Sequence, residues 1–388
     1  MTDEFDRLIE RHGTSSLKWD FGERFTGRSG LLPLWVADMD FPAPPEIREA
    51  LERRVAHGIY GYTMDPESLF QAAREWWQRR HGWAVRREWM SSAPGVVTSI
   101  AVAIQAFSQP GDRIVIQPPV YHPFGISVRD AGRQVLENPL RLDGGRWRMD
   151  LASLEKSLDR RTRMIVLCSP HNPVGRVWER DELEALVDLC VRRDVLIVSD
   201  EIHSDLVMPG RRHLPTAALS EAAAGITVTC VAATKTFNLA GLGGSLTIIP
   251  DDGLRARYRT AQAVQHSDLV NPLSVVALEA AWRECGGWLD RLLAYLKGNY
   301  DFLVSFLADR LPAVSVTPLE GTYLAWLDMR GLGFPDGEVS ARLLDRARVW
   351  LDEGKKFGVE GAGFRRLNLA CPRSVLEEAL PRMVEALR

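Results

Sequence analysis

The chain has 388 residues, of which 46% are hydrophobic and 26% charged, and its formal net charge is −3. This composition is ordinary for a globular protein, the length suggests more than one domain, and the lack of a basic block argues against a nucleic-acid partner. The N-terminus is acidic and no apolar run approaches ~20 residues, so we expect a cytoplasmic protein with no signal peptide and no membrane contact.

The cysteine pattern points to an intracellular protein. Five cysteines are scattered along the chain without a CxxC pair, and their odd number argues against a disulfide framework. We predict reduced cysteines and no metal site.

Helical and strand-like patterns alternate through the middle of the chain. Short apolar runs separated by helices indicate a parallel sheet that is covered on both faces. Ligands bind such sheets at the carboxyl ends of the strands. The predicted helices span 45–57, 66–81, 95–107 and 181–193, and the predicted strands span 113–117, 134–137, 164–168, 195–199, 227–231 and 245–249.

The pattern changes after about residue 285 to that of a smaller α+β domain. We divide the chain into an N-terminal segment (1–45), a large domain (46–285) and a small C-terminal domain (286–388). The small domain is predicted to contain helices at 288–311, 338–348 and from 374 onward, and strands at 314–316, 323–327 and 366–370.

Lys235 is the first candidate for chemistry, because it follows the apolar strand predicted at 227–231. A lysine at the end of a buried strand faces a cleft, and desolvation lowers the pKa of its amine. A neutral amine can form a Schiff base with a carbonyl compound such as pyridoxal phosphate (PLP).

Polar residues at neighbouring strand ends supply what PLP needs. Asp200 can keep the pyridine nitrogen protonated, and Asn172 and His203 can donate hydrogen bonds to the phenolate oxygen. Tyr121, after another strand, is suited to stack on the ring and is a candidate catalytic residue beside Lys235. Each residue alone has an ordinary structural explanation, but their joint occurrence at successive strand ends favours a cofactor site.

The anionic ends of cofactor and substrate also have candidates. The helix that opens at Gly95, Val96 and Val97 presents backbone N–H groups for a phosphate, and Thr234 can add a hydroxyl. Arg366 is the leading candidate for the substrate's α-carboxylate, because a guanidinium matches a carboxylate with two hydrogen bonds.

Over nearly its whole length the sequence resembles the fold-type I PLP-dependent enzymes of the aminotransferase class I/II superfamily. That resemblance implies an α/β fold, with a large domain built on a mostly parallel seven-stranded sheet covered by helices, and a smaller α+β domain formed from the two termini. It rests on four segments: Asn172–Gly175, Asp200–His203, Thr234–Phe237 and Arg366–Asn368.

More narrowly, the sequence is similar to the MalY/PatB-type cystathionine β-lyase group. That similarity implies a homodimer with active sites at the subunit interface, in which Tyr62 reaches the phosphate of the partner's cofactor. It also implies that Trp35 and Val36 wall the substrate pocket. The segments that carry it are Leu34–Pro42, Tyr60–Thr63, Tyr323–Asp328 and Asn368–Ser374.

The sequence departs from the superfamily pattern at three positions. Aminotransferases usually have tyrosine at the position of His203, whereas histidine is frequent in the lyase group. Many relatives have a phosphate-binding serine where Ala232 stands, and many aminotransferases have an arginine where Gly243 stands. Phosphate binding is therefore expected to rest on Gly95, Val96, Val97, Thr234 and Tyr62.

The predicted function is a carbon–sulfur β-lyase that converts cystathionine or another cysteine S-conjugate to thiol, pyruvate and ammonia. An aminotransferase is the first alternative, since it uses the same lysine, aspartate, asparagine and arginine and differs in returning the proton to the cofactor. A PLP-binding regulatory protein is an alternative of a different class, although the sequence shows no DNA-binding module.

Overall fold

A computed structural model describes residues 4–388 of the chain. The strands are β1 Leu32–Pro33, β2 Met90–Ala93, β3 Arg113–Ile116, β4 Gln134–Glu137, β5 Arg141–Asp143, β6 Arg146–Arg148, β7 Thr162–Cys168, β8 Leu196–Asp200, β9 Thr227–Val231, β10 Ser245–Ile248, β11 Ser315–Val316, β12 Leu324–Asp328, β13 Val349–Trp350, β14 Asp352–Glu353 and β15 Phe364–Asn368.

Helices occupy most of the remaining chain. They are α1 Gly22–Thr26, α2 Pro45–His57, α3 Glu67–His81, α4 Val96–Phe107, α5 Pro123–Asp130, α6 Leu151–Ser157, α7 Arg180–Arg193, α8 Glu221–Ile226, α9 Asp252–Val264, α10 Pro272–Glu284, α11 Gly286–Arg310, α12 Asp336–Ala341 and α13 Arg373–Leu387. Within residues 4–388, none of them is both long enough and apolar enough to cross a bilayer.

The large sheet has seven strands in the order β2-β10-β9-β8-β7-β3-β4. All neighbouring pairs from β9 to β4 are parallel, whereas β10 runs antiparallel to both β9 and β2. Every residue of β9 and β10 is buried, as expected for a sheet covered on both faces. The predicted fold, a mostly parallel seven-stranded α/β sheet, is confirmed.

A four-stranded antiparallel sheet, in the order β11-β12-β15-β14, forms the centre of the C-terminal part. The N-terminal segment joins this part, because β1 pairs in parallel with β13 and the amide of Asp40 donates to the carbonyl of Ala370 at 2.9 Å. The N-terminal segment is therefore hydrogen-bonded to the C-terminal part of the chain.

Several elements differ from the sequence predictions. The helix predicted at 338–348 is α12 followed by a π-helix, Arg342–Ala347, and the strand predicted at 366–370 is β15, which begins at Phe364. The sequence predictions did not include strands β1, β2, β5, β6, β13 and β14 or helices α1, α5, α6, α8, α9 and α10.

The turn between β14 and β15 contains a very close backbone approach. A Cβ atom on Gly354 would lie 2.7 Å from the carbonyl oxygen of Phe364 and closer still to that of Gly361. Only glycine fits at that position, so the short 3₁₀ helix Gly354–Phe357 is held tightly against the sheet.

We predict that Gly354→Ala lowers the free energy of unfolding by about 2 kcal/mol or more, because the backbone must move to accept the methyl group. Chemical unfolding of the purified variant measures this. Gly337→Ala is the matched control, because its Cβ would meet nothing within 4 Å inside α12. Equal loss of stability in both variants would contradict the packing argument.

Candidate active site

The carboxyl ends of four parallel strands deliver the predicted residues to one cavity. Tyr121 follows β3, Asn172 follows β7, Asp200 ends β8, and Lys235 follows β9. The cavity has a volume of about 850 Å³, and its lining includes twelve of the thirteen predicted site residues: Trp35, Val36, Gly95, Val96, Val97, Tyr121, Asn172, Asp200, His203, Thr234, Lys235 and Arg366.

Tyr62 is the predicted residue that lies elsewhere. Its side chain is fully exposed, outside the cavity, in a segment between α2 and α3. Because the side chain lies outside the cavity of its own chain, its predicted contact with a phosphate would require a second subunit and stays a prediction.

The amine of Lys235 is hydrogen-bonded to a backbone carbonyl group, that of Ala37, which the sequence did not predict as part of the site. Its Nζ donates a hydrogen bond to the carbonyl oxygen of Ala37 at 2.7 Å, and the hydroxyl of Tyr323 donates to the same oxygen at 2.9 Å. Burial lowers the pKa of Lys235 to about 8, in spite of the opposing charges of Asp38 and Asp200. At pH 7 roughly a tenth of this amine is therefore neutral and available as a nucleophile or base, far more than for an ordinary lysine.

Asp200 is a buried carboxylate that forms no salt bridge among residues 4–388, although the charge of Lys235 acts on it. The amide of Ile202 donates to its Oδ1 at 3.1 Å, and burial raises the pKa of the carboxyl group to about 7. A cation beside it, such as a protonated pyridine nitrogen, would stabilise its charged form. This is the partner that PLP would provide, so the site fits that cofactor.

His203 is positioned as a neutral hydrogen-bonding group. Burial, assisted by the charges of Lys235 and Arg366, lowers its pKa to about 3. Its Nδ1 is buried and has no hydrogen-bond partner in the described part of the chain. The imidazole of His203 and the amide of Asn172 can together form hydrogen bonds with a polar substituent on the ring of a bound ligand.

The end of the cavity that is predicted to bind a phosphate is formed by the first turn of α4. Gly95 precedes this helix with extended backbone (φ 177°), and a Cβ atom there would meet nothing within 4 Å. The glycine thus leaves open space beside the N–H groups of Val96 and Val97. Those groups and the helix dipole can bind an anion without a cationic side chain.

Arg366 lies on β15, and several hydrogen bonds fix the position of its guanidinium group. Its Nη1 donates to Asn172 Oδ1 at 3.0 Å, and its Nη2 donates to the carbonyl of Trp35 at 2.9 Å and to Asp352 Oδ2 at 2.5 Å. Its Nε is buried without a partner among the described residues. The neighbouring Arg365 turns to the other face and bonds Asp336 instead.

The N-terminal segment around Ala37 is tied down over the cavity by two asparagines. Asn368 donates to the carbonyls of Val36 and Asp38 at 2.6 and 2.5 Å, and Asn238 donates to those of Met39 and Phe41 at 3.0 and 2.8 Å. The position of the Ala37 carbonyl, and with it the Lys235 amine, therefore depends on Asn238, which follows β9, and on Asn368, which ends β15.

Comparison with known proteins agrees with this geometry. Residues 30–383 match the family model for aminotransferase class I and II. The chain is 45% identical over 386 residues to cystathionine β-lyase PatB of Bacillus subtilis and 35% identical over 391 residues to protein MalY of Escherichia coli, and each match covers 99% of both chains. The crystal structure of cystalysin from Treponema denticola, which contains a pyridoxal 5′-phosphate cofactor, superposes with a TM-score of 0.96 at 36% identity over 100% of this chain and 99% of that one.

The depressed pKa of Lys235 predicts how the cofactor-free protein responds to pH. Between pH 8 and about 10.5 the unfolded chain holds a proton on Lys235 that the folded chain has lost, so stability rises with pH in this interval. Relative to Lys235→Met, the wild-type free energy of unfolding should therefore increase from pH 8 to pH 10 and stay constant below pH 7. Urea unfolding of both proteins at each pH measures this difference, and a gap independent of pH would contradict burial of the amine.

Proposed function

The chain belongs to the aminotransferase class I and II family, and we propose that it is a PLP-dependent carbon–sulfur β-lyase acting on cystathionine or another cysteine S-conjugate. The observation that carries this proposal is the 45% identity to a cystathionine β-lyase over 99% of both chains. The site contributes a set of residues that can hold the cofactor and move the required proton.

PLP, when bound, supplies an aldehyde that links to an amine and a ring that accepts the electron pair of a Cα carbanion. Lys235 would hold the aldehyde, Asp200 the ring nitrogen, and the N-terminus of α4 with Thr234 the phosphate. Tyr121 would stack on the ring, and Asn172 with His203 would bind its phenolate oxygen. In this arrangement the raised pKa of Asp200 falls, because its charge is then paired.

Arg366 orients the amino-acid substrate. Its guanidinium is already fixed by Asn172 and Asp352, so little side-chain freedom is lost when a carboxylate binds. When the amine of Lys235 is not linked to the cofactor, it would be free to remove the substrate's α-proton as a general base. Its hydrogen bond to the Ala37 carbonyl keeps it in the cavity for that step.

Departure of the sulfur substituent then completes the elimination. A thiol has a pKa of about 8.5, so a thiolate leaves with less acid assistance than an alkoxide. The proton taken by Lys235 is available for the products, and hydrolysis of the remaining three-carbon fragment yields pyruvate and ammonia.

The test is an assay of the purified holoenzyme with cystathionine and S-alkyl-cysteines in the absence of any keto acid. We expect equal amounts of pyruvate and thiol, and loss of both with Lys235→Ala. Product that forms only when a keto-acid acceptor is added would identify an aminotransferase instead. Cofactor binding without either activity would favour a regulatory protein.

We also propose that the protein is a cytoplasmic homodimer that completes each site with Tyr62 of the partner subunit. The supporting observation is a run of exposed apolar side chains between α2 and α3, formed by Ile59, Tyr60, Tyr62 and Met64. A contiguous apolar surface of this kind is typical of a protein interface. The cytoplasmic location is supported by five cysteines that are all buried as free thiols.

Mixed dimers test the shared site. Tyr62→Ala should weaken cofactor binding and Lys235→Ala should abolish turnover, so that neither variant is active at limiting PLP. Coexpressed with different tags and purified as a mixed dimer, the two variants should recover part of the activity, because one site then has both native residues. A mixed dimer as inactive as its parents would place Tyr62 outside the partner's site.

A further inference from the structure

Two side chains that line the cavity have no part in the chemistry described above. Lys356 lies on the 3₁₀ helix Gly354–Phe357, and His122 directly follows Tyr121. The two segments are joined, since the amide of Val120 donates to the carbonyl of Phe357 at 2.8 Å. Lys356 and His122 are therefore held on the same wall of the cavity.

The ammonium group of Lys356 is fixed by two different contacts. It donates to Asp352 Oδ1 at 3.0 Å, and it lies 5.3 Å from the centre of the Trp35 ring, a cation–π distance. Among residues 4–388, Asp352 is its hydrogen-bond acceptor, which leaves two of its three N–H groups free for a ligand. The other oxygen of Asp352 binds Arg366, so the two cations share one carboxylate.

The two arginines that line the cavity, Arg11 and Arg366, already have hydrogen-bond partners or a proposed role. Arg11 donates to Asp38 Oδ2 at 2.8 Å, to Asp40 Oδ1 at 2.6 Å and to the carbonyl of Met39 at 3.1 Å. Arg366 is reserved for the α-carboxylate. Lys235 serves the proposed chemistry, so Lys356 is the lining cation among residues 4–388 that the proposed reaction leaves without a role.

His122 adds an uncharged polar group to this wall. Burial, followed by the charge of Lys356, lowers its pKa to about 4, so the imidazole is neutral at physiological pH. Its Nδ1 is buried and has no hydrogen-bond partner in the described structure. A neutral imidazole can donate one hydrogen bond to a ligand that also binds the lysine.

We propose that Lys356 and His122 form a subsite for an anionic group, of the carboxylate class, at the distal end of the substrate's sulfur substituent. The proposal rests on the β-lyase function and names the substrate class within it. A carboxylate there gains a charge-assisted hydrogen bond from Lys356, whereas an uncharged group of the same shape does not.

Two substrates of equal size separate charge from shape: S-(2-carboxyethyl)-L-cysteine and its amide, S-(2-carbamoylethyl)-L-cysteine. We expect wild-type kcat/KM to favour the carboxylate by about tenfold or more, the value of one charge-assisted hydrogen bond. Lys356→Met should remove this preference, and Lys356→Arg should retain part of it. Lys355→Met is the matched control, because Lys355 pairs with Asp336 and does not line the cavity.

A structural role for Lys356 gives a different result. If the lysine only neutralises Asp352, Lys356→Met lowers kcat/KM equally for both substrates, and the subsite is refuted. Binding of the same two compounds to the PLP-loaded Lys235→Ala variant, followed by tryptophan fluorescence, does not depend on turnover. A Kd that favours the carboxylate, together with no pyruvate formation by wild type, would overturn the lyase function and keep the subsite, whereas equal Kd values for the two compounds would overturn the subsite.

Discussion

The burial of two ionisable groups at adjacent strand ends is the constraint on which the site depends. Asp200 ends β8 and Lys235 follows β9, and desolvation opposes the charge of each. Burial of a carboxyl with a pKa near 7 and of an amine with a pKa near 8 costs folding free energy. A ligand that pairs with the carboxylate and links to the amine offsets that cost. The rigid parallel sheet keeps both groups in place, and a cofactor with one cationic nitrogen and one aldehyde satisfies both.

The remaining side chains of the site come from parts of the chain that are far apart in sequence. The carbonyl of Ala37 accepts a hydrogen bond from Lys235, and Arg366, the proposed partner of the substrate carboxylate, pairs with Asp352. Asn368 and Asn238 both donate hydrogen bonds to carbonyl groups of the N-terminal segment. The residues proposed to bind substrate and cofactor are thus connected by hydrogen bonds to backbone as well as by the sheet.

The sequence could predict those site residues that lie next to a recognisable local pattern, such as a short apolar strand. Lys235, Asp200, Asn172 and Tyr121 each follow a short apolar strand, and parallel strands bring their carboxyl ends to one edge. Asp352 gave no such signal, because its two-residue strand exists only through pairing with β15. The carbonyl of Ala37 has no side-chain signature at all.

The differences between the predicted and the observed fold have more than one cause. The sequence does contain a start signal for α10, since Asn271 caps the helix and Pro272 occupies its first turn. The direction of β10 had no local signal, because an apolar strand of four residues has the same composition whether it pairs in parallel or antiparallel. The π-helix after α12 likewise depends on packing against α13.

The most direct test of the account is a single turnover of stoichiometric holoenzyme with a cysteine S-conjugate and no keto acid, followed by absorbance of the cofactor and by chemical analysis. The account predicts one thiol and one pyruvate per active site, with the cofactor returned to its original lysine-linked absorbance. A cofactor left in its amine form, with the sulfur substituent still attached to the product, would contradict it.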